Sequence, residues 1–156
     1  MTTTNEILPF RYYLRVRYGE CDQQGVVYNA RYADYVDLAC TEFLNAALGR
    51  VSISGGAFEM QVVKLLIEWT ASARYDDALE ISVRLAKMGT TSFALGFEMR
   101  KVGSSNVIVT AETVNVHIEP KAWVKSPLPE AMRAKLSLAA RGHLVDHAGV
   151  FTPKAG

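Results

Sequence analysis

Residues 19–35, GECDQQGVVYNARYADY, begin as a predicted loop and end in a predicted helix. The stretch places one carboxylate, Asp22, three residues before Gly25 and seven residues before an apparent helix start at Asn29. Apolar residues recur at spacings of three and four as far as residue 47, and Gly49 favours a helix end there. A single acidic residue therefore precedes the predicted helix, and its role depends on the fold that the rest of the sequence predicts.

Alternating apolar residues on both sides of this stretch predict β-strands. One strand is predicted over residues 11–19, and four more follow between residues 59 and 118 as a meander. The meander is divided by three turns, at residues 73–77, 89–92 and 102–106. Prolines at the start of residues 127–142 predict a short final helix. The tail from about Gly142 is expected to be poorly ordered.

The order of these elements predicts an α+β domain. A single antiparallel sheet of about five strands can bury one long central helix only if the sheet wraps around it. Such a sheet leaves an edge and an uncovered face, which favours pairing between subunits. No internal repeat or long linker divides the chain, so residues 1–156 are expected to form one domain.

The composition excludes several classes of function. Apolar residues make up 49% and charged residues 21%, as in a folded globular domain, and the formal net charge of +1 gives no footprint for nucleic acid. The start, MTTTNEILPF, does not have the pattern of a secretory signal, and no stretch approaches the ~18 apolar residues of a membrane span. Two cysteines form neither a disulfide framework nor a zinc cluster. We therefore expect a cytoplasmic protein with reduced thiols and no metal.

The pattern C-D-x-x-G-V-V-Y-N, with R-V upstream, resembles the signature of the 4-hydroxybenzoyl-CoA thioesterase family. These hotdog-fold enzymes hydrolyse acyl-CoA thioesters and include the thioesterases associated with the Tol–Pal system. The resemblance continues through ARYDDALEISVRL, Ser92-Phe93 and the proline-rich start of the last helix, over roughly residues 11–137. It implies a hotdog fold, an acyl-CoA substrate, no cofactor, and a homodimer with two composite sites that pairs again into a tetramer.

Thioester hydrolysis makes modest demands on a protein. The reaction needs an activated nucleophile and donors for the negative charge that develops on the carbonyl oxygen. The leaving thiol has a pKa of about 8.5, so it departs as a thiolate with little help from an acid. One carboxylate and one oxyanion site can therefore suffice. Asp22 can attack the carbonyl to form a mixed anhydride or deprotonate a water, and the sequence leaves both routes open.

The resemblance assigns further roles around Asp22, which matches the family's catalytic aspartate. Backbone amides at a helix start are unpaired and lie at the positive end of the helix dipole, and the family's donor falls seven residues after the aspartate, on Asn29. Gly25 allows the chain to turn back, and Tyr28 is expected to border the substrate. Thr91 and Ser92, in the turn before Phe93, are expected substrate contacts. The simpler alternative for Asp22 is a turn or cap residue.

Other titratable residues carry competing interpretations. Cys21 could belong to a Cys–His hydrolase, but no histidine is near it in sequence and cysteine more often packs. His143, Asp146 and His147 have a spacing that suits a metal, although an exposed pair without a ligand is the simpler expectation. His117 alternates within a strand and is expected to be structural.

The carboxylates of the long helix are reserve candidates, because another hotdog branch uses a helix glutamate. Asp34, Asp37 and Glu42 otherwise form a polar face or pair with Arg31. Cations available for the CoA phosphates, or simply for the surface, are Arg84, Lys87, Arg100, Lys101 and Lys121.

Two rival functions remain at this level. A hotdog dehydratase needs a histidine paired with a carboxylate, and no histidine precedes position 117. The other rival is a non-catalytic module that binds an acyl-CoA or a protein partner.

Overall fold

The computed structural model describes residues 7–49 and 58–151. Within these ranges the chain forms seven strands and two α-helices, together with a 3₁₀ turn at Tyr18–Glu20. The elements are β1 (Phe10–Arg15), α1 (Arg31–Leu48), β2 (Glu59–Trp69), β3 (Ala78–Met88), β4 (Ser92–Lys101), β5 (Val107–Glu119), β6 (Val124–Lys125), α2 (Glu130–Leu138) and β7 (Leu144–Asp146). None of the helices in the described part is long and apolar enough to cross a membrane.

All seven strands belong to one sheet. Its order is β2-β5-β4-β3-β1-β7, with β6 added to β5, and every pair is antiparallel except β1 with β7. The predicted α+β class is confirmed, with two short strands, β6 and β7, that the sequence pattern did not indicate. The predicted four-strand meander is wrong at its first strand: β2 pairs with β5 and not with β3, so only β3, β4 and β5 form a meander. Residues 70–77, between β2 and β3, hydrogen-bond to Val16 and Val27 instead of closing a tight turn. The expected flexibility of the tail after Gly142 stays a prediction.

The core lies between α1 and one face of the sheet. The alternating residues of β3 and β4 that point inward are almost fully buried: Leu79, Ile81, Val83, Phe93, Leu95, Phe97 and Met99. The helix contributes a matching apolar stripe, in which Phe43 meets Phe10 of β1 edge to face at 5.7 Å between ring centroids. Because period two and period 3.6 each select one face, the two patterns bury each other.

Two boundaries near the quoted stretch differ from the sequence expectation. The strand predicted over 11–19 ends at Arg15, because its partner β3 begins at Ala78 and the chain turns just before that point. Tyr18, which continues the apolar alternation of residues 12, 14 and 16 in the sequence, is 80% exposed. The helix begins at Arg31 instead of Asn29, which lies in the turn before it.

Strand β2 lies at one edge of the sheet that the described residues form, and it carries exposed apolar side chains. A bulge at Val63 shifts its register against β5 between Val62 and Lys64. Leu65 and Trp69 lie on the helix-facing side, opposite buried residues of β5, yet both remain almost half exposed. A long apolar edge of this kind invites pairing with another strand.

Candidate active site

Asp22 stands at the mouth of a small hairpin. Its N–H donates to the carbonyl of Val26 at 2.9 Å, and the N–H of Gly25 donates to the carbonyl of Asp22 at 3.0 Å. This is the bonding of a three-residue hairpin loop, in which a turn is followed by a residue in the left-handed region. Gly25 has φ of +75°, the conformation that glycine adopts without strain. The Asp-Gln-Gln-Gly sequence therefore encodes the turn locally.

One of the two Asp22 carboxylate oxygens has a hydrogen-bond partner among the described residues. Its Oδ1 accepts a hydrogen bond from the Gln24 N–H at 2.8 Å, as expected of an aspartate that opens a turn. In residues 7–49 and 58–151 no protein donor binds Oδ2. The turn and the catalytic interpretations are thus compatible, since each needs a different oxygen atom.

Asp22 borders an open groove of about 430 Å³. The hairpin forms one wall, the chain from Trp69 to Ser72 at the end of β2 forms the other, and Tyr32 of α1 lies between them. Tyr28, which is half exposed, and Asn29 line the same groove. Gly25 does not line it and acts through the hairpin turn.

Two backbone amides at the start of α1, beside this groove, have no acceptor among the described residues. The carbonyl of Tyr28 accepts the Arg31 N–H at 2.8 Å and so is directed into the helix. In a trans peptide the C=O and N–H point in opposite directions, so the Asn29 N–H is directed away from the helix. The N–H groups of Asn29 and Ala30 find no acceptor in the described part of the chain. They also lie at the positive end of an 18-residue helix.

The walls of the groove are fixed to each other through Ala73. Its carbonyl accepts the Val27 N–H at 2.9 Å, and its N–H donates to the hydroxyl of Tyr32 at 3.0 Å. The Tyr32 ring also meets the Trp69 ring edge to face at 6.1 Å. Burial raises the pKa of Tyr32, so its hydroxyl stays protonated and structural.

Glu20 is a residue of this region that the sequence interpretation missed. It is 6% exposed, and its carboxylate accepts hydrogen bonds from the backbone and guanidinium of Arg17 and from the Tyr35 hydroxyl. Burial by itself raises the pKa of Glu20, but these hydrogen bonds outweigh it and hold the pKa below its ordinary value. The sequence does contain one indication that Glu20 is buried, since Glu20 stands where the apolar alternation of residues 12, 14 and 16 would continue.

Thr91 and Ser92 do not reach the groove within one protomer. Ser92 pairs with Val116 of β5, whereas Trp69 at the groove pairs with Val109. These two positions on β5 are seven residues apart, or roughly 24 Å along a strand. The predicted substrate contacts therefore fall into two groups at opposite ends of the sheet.

The competing cysteine and histidine interpretations receive little support from the geometry. Cys21, the candidate nucleophile, is partly exposed, and its contacts in the described residues include no histidine. Cys40 is buried, which raises the pKa of its thiol to about 12. His147 is exposed, and its Nδ1 lies 3.0 Å from the Tyr12 hydroxyl. The Asp146 carboxylate accepts two backbone N–H groups of its own turn. The described residues contain no group of three potential ligands that could hold a metal.

His117 and the charged residues behave as surface and structural groups. His117 is buried, with Nδ1 3.3 Å from the Ser126 carbonyl, in agreement with its predicted structural role. Asp34 pairs with Arg31 at 3.3 Å on the exposed side of α1. Two of the candidate cations, Arg100 and Lys101, are in ion pairs with Glu98 and Asp77.

The sequence of the chain is similar to a known protein family and to individual members whose names state an activity. Residues 16–136 match the thioesterase-like superfamily. The chain is also 33% identical over 128 residues to the acyl-CoA thioester hydrolase YbgC of Escherichia coli O6:H1, covering 81% of this chain and 94% of that protein. The chain belongs to the thioesterase-like superfamily. As a member it is a thioester hydrolase, which confirms the predicted enzyme class.

Further relatives of this thioesterase-like chain agree on the fold. The 1,4-dihydroxy-2-naphthoyl-CoA hydrolase of Synechococcus elongatus is 25% identical over 132 residues, 80% of this chain and 93% of that protein. A 1,4-dihydroxy-2-naphthoyl-CoA thioesterase from Synechocystis superposes with a TM-score of 0.74 at 24% identity, over 82% of this chain and 95% of that one. A gentisyl-coenzyme A thioesterase superposes with a TM-score of 0.72 at 23% identity, over 80% of this chain and 98% of that one. The predicted hotdog fold is confirmed.

Proposed function

We propose that this protein hydrolyses an acyl-CoA thioester to the free acid and CoA, with Asp22 as the catalytic carboxylate and the Asn29 amide as oxyanion donor. One observation carries the proposal: Asp22 and Asn29 line the same groove, and within the described part of the chain Asp22 Oδ2 and the Asn29 N–H have no hydrogen-bond partner. Relatives whose names specify acyl-CoA substrates support the choice of thioester.

The chemistry uses the two groups in complementary ways. Either Asp22 attacks the thioester carbonyl, expelling CoA as a thiolate and forming a mixed anhydride that water then hydrolyses, or Asp22 takes a proton from a water that attacks directly. In both routes negative charge develops on the carbonyl oxygen, and the Asn29 N–H, at the positive end of α1, stabilises it. Tyr28 borders the acyl group on the open side of the groove.

We also propose that the site is completed by a second copy of the chain. Antiparallel pairing of two β2 edges would bring the start of one β2 beside the end of the other. The start of β2 lies beside Val116 and, through it, Ser92. The partner's Thr91 and Ser92 would then lie at the same end of the joined sheet as this chain's Trp69 and the groove, roughly 14 Å away across three strand spacings. Further pairing into a tetramer rests on the family resemblance alone.

The experiment is a hydrolysis assay of purified protein against short, long and aromatic acyl-CoAs. Asp22→Asn should lower kcat/KM by roughly 10²- to 10⁴-fold, because the amide can neither attack nor accept the proton. The Asn Oδ1 still accepts the Gln24 N–H, so the hairpin is retained. The control is Asp34→Asn, an exposed acid on the first turn of α1 that should keep wild-type activity.

Two results would count against the proposal. Near-wild-type hydrolysis by Asp22→Asn would remove this residue from the chemistry. Tight acyl-CoA binding without turnover by the wild type would favour the non-catalytic binding module.

A further inference from the structure

We propose that Glu20 is a positioning residue for the candidate active site, holding the Asp22 hairpin and the start of α1 in register with each other. Its carboxylate acts on α1 through Tyr35, and its backbone carbonyl accepts the N–H of Tyr28, the residue directly before Asn29. The inference rests on the proposed function and adds a residue that does not touch the reacting atoms.

The Glu20 carboxylate joins two separate parts of the chain. Oε1 accepts the Arg17 N–H at 2.8 Å and the Tyr35 hydroxyl at 3.0 Å, while Oε2 accepts the Arg17 guanidinium at 2.9 Å. Tyr35 is itself fully buried on the second turn of α1. Both oxygens are therefore occupied, and the segment that leaves β1 is tied to the helix at one point.

The backbone of Glu20 fixes the other arm of the hairpin. Its carbonyl accepts the Tyr28 N–H at 2.9 Å, and two residues later the Asp22 N–H donates to Val26, so these two bonds form the ladder of the hairpin. Tyr28 is thus held at its N–H by Glu20 and at its carbonyl by the Arg31 N–H. Because both ends are held, the peptide between Tyr28 and Asn29 cannot rotate freely, and the Asn29 N–H keeps its direction.

The same type of bond elsewhere in the fold supplies a matched control. Tyr13 is as deeply buried as Tyr35 and donates from its hydroxyl to a glutamate carboxylate, Glu80 Oε2, at 2.7 Å. This bond lies on the outer face of the sheet, away from α1 and the groove. Tyr35→Phe and Tyr13→Phe each remove one tyrosine–glutamate hydrogen bond, the second together with a bond from the Arg11 guanidinium to the same hydroxyl, and only the first should affect catalysis.

The test measures kcat, KM and the thermal midpoint of both variants with the best acyl-CoA found for the wild type. Tyr35→Phe should lower kcat by roughly 10- to 100-fold with little change in KM, since small misplacements of reacting groups have effects of that size. Tyr13→Phe should lower the midpoint similarly and leave kcat unchanged. Glu20→Gln keeps an acceptor for Tyr35 and should retain more activity than Glu20→Ala.

The outcomes separate this inference from the proposed function. If the wild type hydrolyses acyl-CoA and Tyr35→Phe keeps full kcat, the positioning role is refuted and the proposed function stands. If the two tyrosine variants lose kcat in proportion to their midpoints, Glu20 contributes stability alone. If the wild type is inert with every acyl-CoA, both proposals fail together.

Discussion

Replacing Leu65 on β2 should weaken self-association and, through it, hydrolysis. Leu65 points to the helix side of the sheet and is 44% exposed, so pairing of two β2 edges would cover about half of its side chain. Full burial of a leucine contributes about 1.5–3 kcal/mol, so covering half of one contributes roughly 1 kcal/mol. The two-fold symmetry of a dimer doubles this to about 2 kcal/mol, or roughly 30-fold in the dimer Kd for Leu65→Ala. Leu65→Asp adds an unpaired buried carboxylate and should separate the subunits further.

The assay combines light scattering over a dilution series with hydrolysis rates at the same protein concentrations. The matched control is Leu66, which has the same 44% exposure but lies on the outer face of the same strand, opposite Glu112. Leu66→Asp should leave the edge pairing and the activity of the dimer intact. A Leu65→Asp protein that stays dimeric and fully active would refute the reasoning, and so would equal losses in the two variants.

The remaining predictions concern the hairpin and the thiols. Gly25→Ala should lower the free energy of unfolding, measured by urea denaturation, by about 1–2 kcal/mol, because alanine is strained at φ of +75°. The strain is in the backbone alone, since the added Cβ would meet no atom closer than 3.8 Å. Gly25→Asn should lower the free energy of unfolding by less, because asparagine tolerates this conformation better. Wild-type stability from the variant with Ala would contradict the left-handed conformation. For the thiols, alkylation of native protein at pH 8 followed by mass spectrometry should spare Cys40, whose pKa is raised to about 12 by burial, until denaturant exposes it. Rapid native modification of Cys40 would show that α1 opens.

Much of the fold could be predicted because its signals are local. The individual strands and the long helix follow from period two and period 3.6, and the turns at 73–77 and 102–106 separate the strands where the structure has them. The order of the strands does not follow from these patterns, since β2 pairs with β5 instead of with β3. The hairpin at Asp22 was accessible for the same reason, since an aspartate, two polar residues and a glycine specify a turn by themselves. The roles of Asp22, Asn29, Tyr28 and Gly25 remain proposals.

The local patterns of the amino-acid sequence define the helices and strands and the chemical groups available at the Asp22 loop. Which of these groups come into contact depends on how the helices and strands pack. Glu20 and Tyr35 are fifteen residues apart and become a buried pair only when α1 packs across the end of β1. Thr91 and Ser92 were expected to contact the substrate, yet strand register puts them at the far end of β5 from the groove, so only a second chain could supply such contacts there. Sequence periodicity fixes the face that a residue occupies, whereas its neighbours across the sheet depend on register and packing.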